Sequence, residues 1–177
     1  GGWERMTPLG TNPPVHRHYR DLIDHFFTGP GLERSRPFIE QAIDEQFATF
    51  EHDGRVEWNR QFAVPVPVRV ITHLLGLPED DIPRLKRWSA AWILPFVRRL
   101  APDEDVWVAE QVVEMYDYLA EMIAWKRAEP GDDILTHLTI TPFAGERPLT
   151  DQEIITIVDH LFIGGNETTT FAMASGL

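Results

Sequence analysis

The sequence predicts a mostly α chain, and three observations carry that expectation. Apolar residues recur at helical spacing along most of the 177 residues. Start and stop signals bracket those stretches, namely Asn-Pro-Pro, a capping box and well-placed glycines. Only one short run, Arg55-Val56-Glu57-Trp58, reads as a candidate strand.

Taken in order, Asn12-Pro13-Pro14 opens the first helix, with Asn12 as the cap and Pro tolerated in the first turn. It runs from about Val15 to Phe27 and is stopped by Gly29-Pro30-Gly31. A second helix covers roughly Leu32 to Phe50, with Phe38, Ala42, Ile43, Phe47 and Phe50 on one face. In "FAVPVPVRVITHLLGLP", Pro65 and Pro67 delay or kink a third helix, and Gly76 caps its end. A fourth spans Asp80 to about Leu100 and is rich in Trp88, Trp92 and Phe96. The fifth runs from Asp103 to about Ala128 on a stripe of Val106, Val113, Tyr116, Leu119 and Ile123. "EPGDD" breaks the pattern, a short helix follows through Leu138, and "FAGERPL" reads as a turn or small hairpin. Thr150-Asp151-Gln152-Glu153 is a capping box that launches the last helix.

Length fits one ordinary domain or part of a larger one. With 43% hydrophobic and 25% charged residues the chain is globular rather than disordered. A net charge of −12 argues against a general nucleic-acid binder, which needs a positive surface. The absence of cysteine removes disulfides, zinc–thiolate sites and a cysteine nucleophile from this stretch. No run of 18 apolar residues exists, so no membrane-spanning helix is expected. The opening Gly1-Gly2 and the apolar finish at Leu177 suggest that both ends are cut.

The last helix raises the chemical question. Ile154, Val158, Leu161, Gly165, Thr168 and Ala172 form one stripe, the face a core would claim. Gly165 within it costs about 1 kcal/mol of helix propensity relative to Ala, and Gly164 roughly doubles that. Such a pair suits either a large flat group lying on the backbone or a close helix crossing. Thr168 can bond back to the carbonyl of Gly164. Glu167 and Thr168 together could form a proton relay into a cavity. Spacing alone favours a polar bend in a core helix, with Glu167 salt-bridged elsewhere.

Gly164-Gly165-Asn166-Glu167-Thr168-Thr169 resembles the central-helix motif A/G-G-x-D/E-T-T of cytochrome P450 monooxygenases. "NPPVHRHYRDLIDHFF" resembles the family's P-P-x-H-x-x-x-R segment in helix C, and "FAVPVPVRVITHLLGLPEDD" its P-x-x-V-I-x-x-L-L-G-V-P-x-x-D segment. "EPGDDILTHL" is similar to the stretch before the central helix I. The four segments occur in family order and cover essentially the whole chain. The resemblance implies a partial P450 fold, residues 1–177 forming one incomplete domain from helix C through helix I, without the C-terminal half that carries the haem ligand.

It also implies roles. Thr168 matches the alcohol and Glu167 the acid that deliver protons during dioxygen cleavage. Gly164 and Gly165 match the small residues that let the helix pass over a haem. His16 and Arg20 match the pair that binds haem propionates, with Phe27 near the macrocycle; four residues apart, both share one helix face. The implied cofactor is haem b, with O2 as co-substrate and electrons ultimately from NAD(P)H through a ferredoxin-type partner. The implied substrate is a hydrophobic small molecule, and the implied location cytoplasmic. Asp21 and His18 depart from the extra arginines common in relatives, so the proximal face is less basic. The thiolate that gives such enzymes their oxygen-cleaving push is absent, so the 177 residues alone are expected to be inactive.

Other signals are weaker. Asp80-Asp81 and Asp132-Asp133 lack the further carboxylates that hold magnesium and read as helix N-terminal acids. His73, His137 and His160 show no paired-ligand spacing, and no phosphate loop occurs. Trp88, Trp92, Phe96 and Trp107 fit the roof of a substrate pocket by resemblance, while core packing is the plainer reading for most of them. The alternative to a monooxygenase is a non-enzymatic all-α module, binding an apolar ligand or a partner helix, with Gly164-Gly165 as a crossing point.

Overall fold

A computed structural model describes residues 7–176. Seven α-helices carry it: α1 (Val15–Ile23), α2 (Pro30–Ala48), α3 (Pro65–Leu75), α4 (Ile82–Val97), α5 (Pro102–Ala128), α6 (Ile134–Ile140) and α7 (Asp151–Ser175). Among the described residues the sole β pairing is an isolated antiparallel bridge, Phe143 to Arg147. Ala144 and Gly145 turn that small hairpin with positive φ of 52° and 74°.

α7 is the axis of the bundle, packed against α3, α4, α5 and α6. Its start follows the predicted chemistry. Thr150 Oγ1 accepts from the Glu153 amide (3.2 Å), and Glu153 Oε2 accepts from the Thr150 amide (2.8 Å). Ile154, Val158 and Phe162 then meet Leu75, Leu85, Trp88, Leu119, Ile123 and Leu138 in the main core. Removing such surface from water supplies about 1.5–3 kcal/mol per large side chain before entropy is counted. A smaller cluster of Phe50, Phe62 and Val66 sits against Met173 near the far end of α7. There the Trp58 indole donates to the Met173 carbonyl (3.0 Å).

Gly76 ends α3 in the left-handed conformation (φ 73°), as expected of a C-terminal glycine. Beside it a buried pair locks the α5–α6 junction: Lys126 Nζ donates to Asp133 Oδ2 (2.6 Å), while Asp133 Oδ1 caps α6 by accepting from the Thr136 amide (2.8 Å).

Several expectations are corrected. Asn12 does not cap α1 with its side chain; Pro14 stands at the cap, and Asn12 contributes its carbonyl to the His16 amide (3.0 Å). α1 stops at Ile23 and tightens into a 3₁₀ turn, Asp24–Phe26, before Gly29. Arg55 to Trp58 is not a strand, because no neighbouring segment offers it a ladder, and it leads into the π-helical turn Asn59–Ala63. On α2 only Ala42 and Phe50 of the predicted stripe are buried, while Ile43 and Phe47 are exposed. On α5 Val106 and Val113 face outward, and Val108, Met115, Leu119 and Ile123 take the core, because apolar residues surround that helix and its neighbours choose the phase.

Candidate functional site

The two adjacent glycines of α7 do different jobs. A Cβ on Gly165 would stand 3.0 Å from Ile71 Cγ1 on α3, so its bareness lets α3 and α7 cross closely. A Cβ on Gly164 would meet nothing within 4 Å. Gly164 therefore opens a bare patch on the helix surface, continued by exposed Thr168 and by Phe171, which is 56% exposed.

The stripe predicted for the core is buried only in its first half. Ile154 and Val158 are enclosed, but Leu161 and Gly165 are half-buried, and Thr168 and Ala172 are exposed. In the second half the core takes Phe162, Asn166 and Thr170, and Thr170 Oγ1 donates to the Ala63 carbonyl (3.1 Å). At about 100° per residue the stripe keeps one side of the helix, since Ile154 and Ala172 are five turns apart, so it is the neighbours burying the second half that lie on a different side.

Glu167 lies inward, 6% exposed. Its Oε1 accepts from Lys86 Nζ (2.6 Å), Ser89 Oγ (2.9 Å) and Asn166 Nδ2 (3.2 Å). Lys86 and Ser89 tether the carboxylate to α4, and Asn166 holds it from α7 itself. Thr168 lies outward, and its Oγ1 donates to the Gly164 carbonyl (2.5 Å), the back-bond anticipated from spacing. Acid and alcohol are adjacent in sequence but occupy different faces and share no hydrogen bond.

His16 and Arg20 stand one turn apart on α1, His16 half-buried and Arg20 exposed. Arg20 is ion-paired with Asp24 (2.7 Å), and Arg17 with Asp21 (2.7 Å), so the exposed arginines of α1 are already answered by acids. Phe27 is 40% exposed, just past the 3₁₀ turn. α1 is tied to the start of α7, where Tyr19 donates to Glu153 Oε1 (2.6 Å). Glu153 precedes Gly164 by eleven residues, roughly 16 Å of helix. The described residues thus do not bring His16 or Arg20 into contact with Thr168.

Of the aromatic residues, Trp88 is core at 0% exposure and Trp92 is half-buried. Phe96 and Trp107 are not core: they are 66% and 42% exposed. Sequence reasoning also missed Lys86, Ser89 and Asn166 around Glu167, and it missed Asp159. That residue is wholly buried, and burial pushes its carboxyl up to about 7, against smaller opposing effects of Tyr116 and Trp92. One signal was available for Lys86. The chain has only two lysines, and a buried acid on α7 needs a cation.

No family model matches the chain. Individual relatives do. Cytochrome P450 107B1 of Saccharopolyspora erythraea is 35% identical over 161 residues, 91% of this chain and 38% of the relative. The cytochrome P450 monooxygenase PikC of Streptomyces venezuelae is 30% identical over 171 residues, 96% of this chain and 39% of the relative. The chain belongs to the cytochrome P450 family. The crystal structure of P450BioI, in complex with an acyl carrier protein carrying hexadec-9Z-enoic acid, matches the P450 chain with a TM-score of 0.81 at 28% identity. That match covers 92% of this chain and 41% of the other. CYP109E1 from Bacillus megaterium, in complex with corticosterone, matches with a TM-score of 0.78 at 32% identity, covering 91% and 43%. The P450 chain thus spans about two fifths of the length of the curated relatives it matches, and its helices form a partial P450 fold.

Proposed function

We propose that this P450 chain supplies the oxygen-handling helix and part of the substrate pocket of a haem-thiolate monooxygenase. The reaction inserts one oxygen atom from O2 into a C–H bond of a hydrophobic small molecule. The observation that carries this reading is the open patch at Gly164, with nothing within 4 Å of its Cβ position and Thr168 exposed beside it.

The residues present suit a haem. A bare helix face flanked by Phe171 accepts a flat apolar ring, and the face of α1 bearing His16 and Arg20 can donate to two carboxylates. Arg20 keeps N–H donors beyond those held by Asp24. Phe27 gives a partly exposed ring just past that segment. A haem with a thiolate ligand supplies the oxygen activation, and the 177 residues contain no cysteine to provide that ligand.

The chain's own part is to hold and pass protons. Thr168 Oγ1 presents an oxygen at the open patch while its own proton is parked on the Gly164 carbonyl. Releasing that back-bond frees the hydroxyl to donate outward. Glu167 is the internal acid, and it reaches Thr168 only by leaving Lys86 and Ser89, so α4 sets when the acid is available. Electrons come from a ferredoxin-type partner and ultimately NAD(P)H. With Arg17 and Arg20 already paired, that partner's docking relies less on these charges than an open arginine face would.

The test is the carbon monoxide difference spectrum of the haem-loaded full-length protein, which would supply the thiolate, followed by turnover of its Thr168→Ala variant. A thiolate-type band is expected. The variant should keep haem and substrate binding but divert most electrons to peroxide. Fully coupled turnover in that variant would remove Thr168 from the relay.

A further inference from the structure

About two turns before Thr168 on α7 lies a polar group that the oxygen chemistry does not use. Asp159 is 0% exposed; Tyr116 of α5 donates to its Oδ2 (3.2 Å), and its Oδ1 has no partner among the described residues. The neighbouring His160 donates from Nδ1 to the Thr156 carbonyl (2.5 Å), since a carbonyl can only accept. In the neutral ring Nε2 is then an acceptor, and it too is buried without a partner. Trp92 of α4 adjoins both: its side chain favours the ionised Asp159 carboxyl, and its ring packs edge-on to the His160 ring, 5.9 Å between centroids.

Other enclosed carboxylates here are neutralised by the protein. Glu167 meets Lys86, Asp133 meets Lys126 and Glu153 meets Arg147. Asp159 meets a phenol and an indole, and no basic side chain acts on it. An orphaned buried acceptor costs about 1–3 kcal/mol, and two of them on consecutive residues call for a donor from outside the chain. A carboxylate with an indole beside it offers an ammonium group both a counter-charge and an aromatic ring. The group lies nearest to solvent at Trp92, which is half-buried and stacks on Phe96 (5.0 Å between centroids), a residue 66% exposed. The chain's net charge of −12 favours the approach of a cation.

We propose that Asp159, Tyr116, Trp92 and His160 form a binding site for the protonated amine of an otherwise apolar molecule, with Asp159 as counter-ion and the Trp92 face as its lid. Calling that molecule the substrate rests on the monooxygenase reading; the site itself does not. His160 and Gly164 are one helical turn apart on the same side of α7, so the His160 edge of this site borders the open patch, while Asp159 lies on the inward side.

The test uses the haem-loaded full-length protein and two matched probes, N,N-dimethyl-phenylbutylamine and the neutral phenylbutyl methyl ether, with binding read by calorimetry. The amine should bind about tenfold more tightly than the ether, a difference of about 1.4 kcal/mol. Asp159→Asn should abolish that preference while leaving ether affinity unchanged, and Trp92→Leu should reduce it. Equal binding of the two probes overturns the proposal. So does an amine preference that survives in Asp159→Asn, whether it comes from the iron or from another acid. The carbon monoxide spectrum of the same sample judges the other reading separately. A thiolate band without amine preference sinks this site alone, and an amine preference without the band sinks only the monooxygenase.

Discussion

The inward and outward faces of α7 are built by opposite rules, and the contrast explains why one helix carries so many polar residues. Inward, Gly165, Glu167 and Thr170 are closely answered. Gly165 is cut back to admit Ile71, Glu167 takes three donors on one oxygen, and Thr170 reaches the Ala63 carbonyl. Outward, Gly164 faces open space and Thr168 bonds only to its own helix. The inward face is specified by neighbours already present in the chain. The outward face is the one where the proposed haem and substrate would lie. Asp159, like its neighbour His160 and like Asn166, breaks that rule: it points inward, and one of its two oxygens has no partner among the described residues.

The largest expected effect tests that exception. Burial raises the Asp159 carboxyl from its ordinary 3.8 to about 7, so the folded state holds a proton that the unfolded state has released across that window. This contribution therefore lowers stability as pH rises, beginning near pH 4 and complete above about pH 7. Asp159→Asn removes it. Relative to the parent, the variant should gain on the order of 4 kcal/mol between the two ends of the window, since folded and unfolded carboxyls titrate roughly three pH units apart. Urea unfolding of both proteins across that range checks this, and parallel pH profiles would show that Asp159 is answered after all.

Next comes the anchored acid. Lys86→Met leaves Glu167 enclosed without its cation and should cost about 3 kcal/mol. Adding Glu167→Gln should restore much of the loss, because the second change removes the stranded charge. A double-mutant cycle on the unfolding midpoint measures it, and purely additive losses would mean that the two side chains are not coupled.

The smallest effects separate the two glycines. Gly165→Val should destabilise by about 1–3 kcal/mol, because the new methyls meet Ile71. Gly164→Ala should stabilise by up to about 1 kcal/mol through helix propensity alone. Thermal unfolding distinguishes them, and equal responses would erase the difference between the faces.

Much of this was legible where chemistry is local. The capping box at Thr150 and Glu153, the left-handed stop at Gly76 and the back-bond from Thr168 to Gly164 each depend on residues within four positions of one another. Phase was not legible. Val106, Val108, Val113, Met115 and Leu119 all offer α5 an apolar face, and only α4, α6 and α7 decide which turns inward. The Glu167 site was half visible: the acid stands in a recognisable motif, but Lys86 and Ser89 lie 81 and 78 residues away in sequence. Of the two readings of the glycine pair, the close crossing describes Gly165, while Gly164 faces open space, and a flat group lying there belongs to the proposed function. The relay between Glu167 and Thr168 remains a proposal that rests on adjacency and on the freedom of α4 to let the acid go.

The two ion pairs that employ Lys86 and Lys126 use up every lysine of the sequence. Their side chains are 26% and 7% exposed, so neither amine is an easy target for acylating reagents. Lysine labelling therefore becomes a clock rather than a surface stain. Acylation of Lys86, followed by mass spectrometry, times how often α4 releases Glu167, and Lys126 in the same sample records how often the bundle opens elsewhere.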